Sequence, residues 1–140
     1  MKHLVIILPI LLAACTSTST TRLNQNELLI TTSADSDCMT AGAFAVASKM
    51  AAVETIRHGF ERYEILGSSR NSDPNMIYIP SNDDSIFAGD VLDFGSYDAS
   101  LRVRMFNAGD AGYHQALDAR QQLGPEWEKL VENGINSCLS

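Results

Sequence analysis

Chemistry in this chain would have to come from a few clusters. His58 lies four residues after Glu54 and three before Glu61, which is acid–base spacing on one helix face. The same spacing is routine for ion pairs on a solvated helix, and that is the expectation here. His114 stands four residues from both Asp110 and Asp118, an i,i+4 set of two or three potential ligands that is weak support for a metal on its own. Capping and solvation are therefore expected, and no metal is assigned. Asp83, Asp84, Asp90, Asp93 and Asp98 make one stretch acidic. They do not alternate towards a closing bidentate Glu, so they do not form a calcium loop. No Gly-x-Ser-x-Gly surrounds Ser68, Ser69, Ser96 or Ser137, and no Gly-rich phosphate loop occurs. Arg102 and Arg104 alternate along one strand face, where a carboxylate or a peptidoglycan-like anion would meet them. Pairing with Asp or Glu, which outnumber Lys and Arg by 17 to 10, is the ordinary outcome. The residues give no catalytic constellation and imply no cofactor, so the chain is expected not to be an enzyme.

The N-terminus is more informative. Met1-Lys2-His3 is positive, Leu4 to Leu12 is apolar apart from Pro9, and Ala13-Ala14 supplies small residues before Cys15. That is the order of a secretory signal. The apolar run is too short to span a membrane, which takes about 20 residues. Leu-Ala-Ala-Cys resembles the lipobox of bacterial lipoproteins. The resemblance implies removal of residues 1–14, a diacylglycerol thioether and palmitate-type acylation at Cys15, and membrane attachment. Thr16 rather than Asp after the cysteine implies, by the same resemblance, the outer membrane facing the periplasm, with the inner membrane as the alternative. Several acyl chains suit stable anchoring, since one chain alone binds marginally.

Processing would leave 126 of 140 residues and one domain, with the formal charge moving from −7 to −8 as Lys2 is lost. An acidic chain argues against nucleic acid and against electrostatic adhesion to anionic head groups. Its expected partners are the membrane, through the lipid, and an envelope protein. With Cys15 lipidated, Cys38 and Cys138 remain as an even pair in an oxidising compartment, where a disulfide is the simplest use. A reactive thiol pair or metal ligation is the alternative, although no CxxC occurs.

The elements follow from periodicity. Residues 15–27 read as the lipidated cysteine and a Ser/Thr-rich flexible tether, and 28–140 as the domain. Leu28 to Thr32 is a strand, and an Ala-rich helix runs from Met39 to about Phe60 with Thr40 at its cap. Gly59 is an interior flaw or a stop. Arg62 to Gly67 is a strand, with Tyr63 and Ile65 facing one way. The unit Ala51 to Leu66 resembles a helix-to-strand unit of uncharacterised proteobacterial envelope lipoproteins, which implies a fold and no activity. Residues 68–99 form an irregular insert, polar and broken by Pro74 and Pro80. Met76 to Ile79, Ile86-Phe87 and Val91-Leu92 are its possible short strands, and a mobile functional loop is the alternative, which would make the chain a small periplasmic enzyme or ligand binder using residues 68–99. Ser100 to Phe106 is the clearest strand. A helix capped by Asp110 should run to Leu123, and another from Pro125 to Asn133 should bury Trp127, Leu130 and Val131. The order predicts an α+β two-layer sandwich, a small, mainly antiparallel sheet with helices packed on one face.

Overall fold

The computed structural model describes residues 16–73, 76–80, 89–93 and 95–138, with backbone alone for 76–80 and 89–93. Cys15 and Ile86-Phe87 lie outside the described residues. The fold is α+β: a five-stranded antiparallel sheet of order β1-β2-β6-β3-β7, with helices packed against it. The strands of this sheet are β1 (Thr16–Arg22), β2 (Glu27–Ala34), β3 (Arg62–Asp73), β6 (Ser96–Phe106) and β7 (Leu117–Asp118). Between β3 and β6 come β4 (Met76–Pro80) and β5 (Gly89–Asp93), paired with each other. The helices are α1 (Met39–Arg57), α2 (Ala119–Leu123) and α3 (Trp127–Asn133).

The core forms where two periodicities meet. Leu28 and Ile30 on β2, and Ala99, Leu101, Val103 and Met105 on β6, turn alternate side chains inward. Against them lies α1, whose Ala43, Ala47 and Ala51 recur every four residues and are fully buried. Methyl side chains let the helix axis approach the sheet closely, while Val46, Met50 and Val53 fill the flanks. Gly59 is the stop: its φ of 81° turns the chain out of α1, and Phe60 N–H reaches back to Thr55 O at 3.0 Å. Thr40 is not the cap. Cys38 takes that position without a side-chain cap bond, because its sulfur is committed to Cys138.

Other expectations need correction. The stretch 16–26 is not a flexible tether throughout: Thr16–Arg22 is an edge strand in register with β2, from Thr16↔Ala34 to Arg22↔Leu28. An edge strand with solvent on one side needs no apolar stripe, and threonine suits the extended backbone. Thr18 and Thr32 hydroxyls meet across this pair at 2.9 Å. The insert is also more regular than expected. β3 continues to Asp73 because β6 pairs it throughout, with a bulge between Ile65 and Gly67. The Met76↔Asp93 pair of β4 and β5 keeps the register in which Asp73↔Ser96 closes β3 against β6. The strands foreseen at Met76 to Ile79 and Val91-Leu92 are thus present.

The helix foreseen from Asp110 to Leu123 is broken up. Gly109 and Gly112 adopt φ of 97° and 96°, Tyr113–Gln115 is a single 3-10 turn, and Leu117 and Asp118 then pair with β3. Asp110 closes a turn by accepting from Asn107 N–H at 2.7 Å, and Asp118 is the cap that accepts from Gln121 N–H at 3.0 Å. In α3, Trp127, Leu130 and Val131 are only half-buried. Arg57 ties this helix to the end of α1 by donating to Val131 O at 2.6 and 2.8 Å.

Candidate functional site

Cys38 and Cys138 form a disulfide with Cα atoms 5.7 Å apart, closing a separation of 100 residues. It joins the start of α1 to the C-terminal tail. Beside it, Asn136 O accepts from Thr16 N–H at 3.1 Å, so the tail, α1 and the beginning of β1 are fastened together.

The sheet face away from α1 carries the main charged group. Glu27 is only 4% exposed, and it holds two guanidinium groups. Arg102 donates to Oε2 at 2.7 Å, and Arg104 donates to Oε1 through Nε at 3.0 Å and a terminal nitrogen at 2.8 Å. The register makes this possible: Glu27 pairs directly with Arg104, and Arg102 is its diagonal neighbour. The hydrogen bonds from Arg102 and then Arg104 hold the Glu27 carboxyl below its usual range, against the opposing effect of burial. Arg102 and Arg104 therefore meet a carboxylate of the chain itself, as expected, although the sequence did not single out Glu27.

Next to Arg104 an open pocket of about 560 Å³ is lined by Gln25, Asn26, Phe60, Phe106, Asn107, Asp110 and Ala111. Two turns build it. At the β1–β2 turn, Arg22 donates to Asn24 O and Gln25 O at 3.1 and 2.8 Å. After β6, Gly112 sits so close to Phe106 that a Cβ there would lie 3.2 Å from the ring, which is why residues 107–112 can cover it. Amide side chains, one guanidinium and one carboxylate give the pocket polar donors and acceptors around an aromatic floor. Such a mixture suits a polar organic ligand and does not assemble a nucleophile with a base.

The two histidine sets separate. His58 Nδ1 hydrogen-bonds Glu54 O at 2.8 Å, and Glu54 also accepts from Arg57 at 2.8 Å. The expected ion pair thus forms between Glu54 and Arg57, but Glu54 is only 8% exposed, so it is built around a buried carboxylate and not on a fully solvated face. Glu61 turns elsewhere and accepts from the Tyr113 hydroxyl at 2.6 Å, which raises the Tyr113 pKa. His114 packs edge-on to Tyr113 at 5.5 Å, while Asp110 and Asp118 each close their own turn. Among the described residues, no three His, Cys, Asp or Glu side chains gather as metal donors. Of the acidic stretch, Asp83 and Asp84 lie outside the described residues, and Asp90 and Asp93 lie on β5.

The pocket is what sequence reasoning missed. Its walls come from the β1–β2 turn, Phe60 between α1 and β3, and the turn after β6, and no spacing in the chain connects them. Compared with known protein families, curated proteins and solved structures, the chain gives no match.

Proposed function

We propose that this protein is a lipid-anchored envelope lipoprotein, held by Cys15 in the outer membrane, facing the periplasm and acting through protein contacts without catalysis. The Cys38–Cys138 bridge carries the reading. It consumes two of three cysteines and leaves Cys15, at the end of Leu-Ala-Ala-Cys, for the lipid. A disulfide is also the habit of oxidising compartments, which agrees with export. Among the described residues no helix is long and apolar enough to cross a membrane, and attachment through acyl chains requires none. Intact mass of protein purified from bacterial membranes tests the anchor. Loss of residues 1–14 and added acyl mass on Cys15 are expected, and an unmodified Cys15 ends the reading. Crosslinking in intact envelopes should then capture a reproducible protein partner, and repeated failure to find one argues for the alternative.

That alternative is a small periplasmic enzyme or ligand binder, and the pocket beside Arg104 is the observation that favours it. Its support comes from this pocket, none of whose lining residues belongs to residues 68–99. Chemical-shift changes confined to Asn26, Phe60 and Asn107 on adding soluble cell-wall fragments would favour this reading; an unchanged spectrum would remove it.

A further inference from the structure

We infer that the pocket beside Arg104 takes a zwitterion, an amino acid or short peptide whose carboxylate meets Arg104 and whose ammonium group meets Asp110. The inference rests on the ligand-binding reading of this pocket and is independent of the anchor at Cys15. Glu27 brings one negative charge to Arg102 and Arg104, which bring two positive ones. The group therefore keeps one positive charge, and Arg104 presents it at the pocket wall. Asp110 lines the same pocket, and among the described residues no cation forms an ion pair with it. Two opposite charges thus share one pocket without meeting. An anionic ligand would be drawn to Arg104 and repelled by Asp110, and a cationic one the reverse. A molecule carrying both charges satisfies both residues.

Hydrogen-bonding capacity agrees with charge. Arg104 uses Nε and Nη2 on Glu27 Oε1 at 3.0 and 2.8 Å, and Nη1 retains two N–H donors for a carboxylate. Asp110 accepts from Asn107 N–H through Oδ2 at 2.7 Å, and Oδ1 remains for an ammonium donor. Glu61, next to Phe60 in the chain, is committed elsewhere: it accepts from the Tyr113 hydroxyl at 2.6 Å. The walls are fixed before a ligand arrives. Met105 N–H donates to Asn26 O at 2.7 Å and Asn26 Nδ2 to Met105 O at 3.5 Å, which laces the β1–β2 turn to β6. Asp110 N–H donates to Asn107 O at 3.0 Å and closes the turn after β6. Charges held in place in this way lower the ordering cost of binding. The amides of Gln25, Asn26 and Asn107 offer neutral donors and acceptors to a peptide group, and Phe60 offers apolar surface to a side chain. A volume of about 560 Å³ leaves room for more than one residue.

The test uses the full chain, isotope-labelled, purified from bacterial membranes and held in neutral-detergent micelles. Alanyl-alanine, its N-acetyl derivative and its C-terminal amide are titrated while amide chemical shifts are followed. Alanyl-alanine should shift Asn26, Asn107 and Asp110 saturably, and blocking either end should weaken binding by about threefold or more. Asp110→Asn keeps an oxygen for Asn107 N–H, so the turn survives. It should weaken alanyl-alanine by a similar factor and leave the N-acetyl peptide unchanged. Alanine, titrated alongside, tells two sources apart: tighter binding than the dipeptide assigns a free amino acid, and weaker binding a peptide. Equal affinity for all three peptides, or an N-acetyl peptide that binds as tightly as the unblocked one, overturns the zwitterion while the ligand-binding reading stands. A pocket that answers to soluble cell-wall fragments but to none of these probes does the same. A spectrum that neither class of probe changes removes the ligand-binding reading as well.

Discussion

Glu27 is the side chain that the outer sheet face depends on, because one buried carboxylate organises two guanidinium groups. Its pKa is lowered in the folded protein from an ordinary value of 4.5, so its contribution is fully present above that value. Stability is lost as pH falls through the folded pKa, since protonation of the native state removes the charge that both arginines face. Glu27→Gln should therefore lower the urea midpoint at pH 7 and flatten its decline below pH 4.5, with unfolding curves at several pH values as the measurement. A parallel slope in the variant would assign the acid sensitivity to other groups. Gly42 makes a second residue-scale prediction. A Cβ there would lie 3.0 Å from Cys38 Cβ and 3.1 Å from Cys138 Cβ. Alanine in a helix ordinarily gains up to about 1 kcal/mol over glycine, whereas overpacking costs about 1–3 kcal/mol. Gly42→Ala should thus destabilise the bridged protein and become less harmful, or favourable, once Cys138→Ser frees the tail. The sequence pointed to Arg102 and Arg104 as carboxylate partners, but only the β2–β6 register selects Glu27 from 17 acidic residues.

At the scale of elements, α1 is an alanine stripe set against a sheet. Ala47 is fully buried within it, so Ala47→Leu has no room and should cost about 1–3 kcal/mol or more, read by thermal or urea unfolding. The same change at exposed Ala45 should be nearly neutral, and equal effects at the two sites would show that helix and sheet are not closely packed. The bridge acts on the chain ends: Cys38→Ser with Cys138→Ser opens a separation of 100 residues, for which chain entropy allows up to about 4.7 kcal/mol. Calorimetry of the oxidised protein against the double variant measures the loss. Elements with strong periodicity were legible, as with α1, β2 and β6. Polar strands were not, because β1 and the second half of β3 owe their extended form to a partner strand and not to their own residues. The loop after β6 misled for a related reason: two glycines at positive φ and pairing of β7 with β3 outweigh helix propensity there.

For the molecule as a whole, pH sets an upper limit as well as a lower one. Tyr63 is 2% exposed, and burial pushes its pKa from 10.0 up to about 12. Unfolded chains ionise first, so stability should begin to fall near pH 10 and continue falling towards pH 12. Tyr63→Phe should reduce this alkaline slope in unfolding midpoints, the remainder including Tyr113, whose pKa the Glu61 hydrogen bond also raises, and a slope unchanged by it would place the sensitive group elsewhere. The sequence alone determined the α+β class and marked both bridge cysteines, because hydrophobic period and cysteine parity are local or countable properties. It also carries the Leu-Ala-Ala-Cys motif from which the anchor reading starts. Only the tertiary structure decided that Thr16–Arg22 pairs with β2 as an edge strand, that Glu27 holds both arginines, and that Asn26, Phe60 and Asn107 share a pocket. Each of these depends on which strands lie side by side and in what register. Pairing register is fixed by burial across the whole sheet, and no single stretch of the chain contains it.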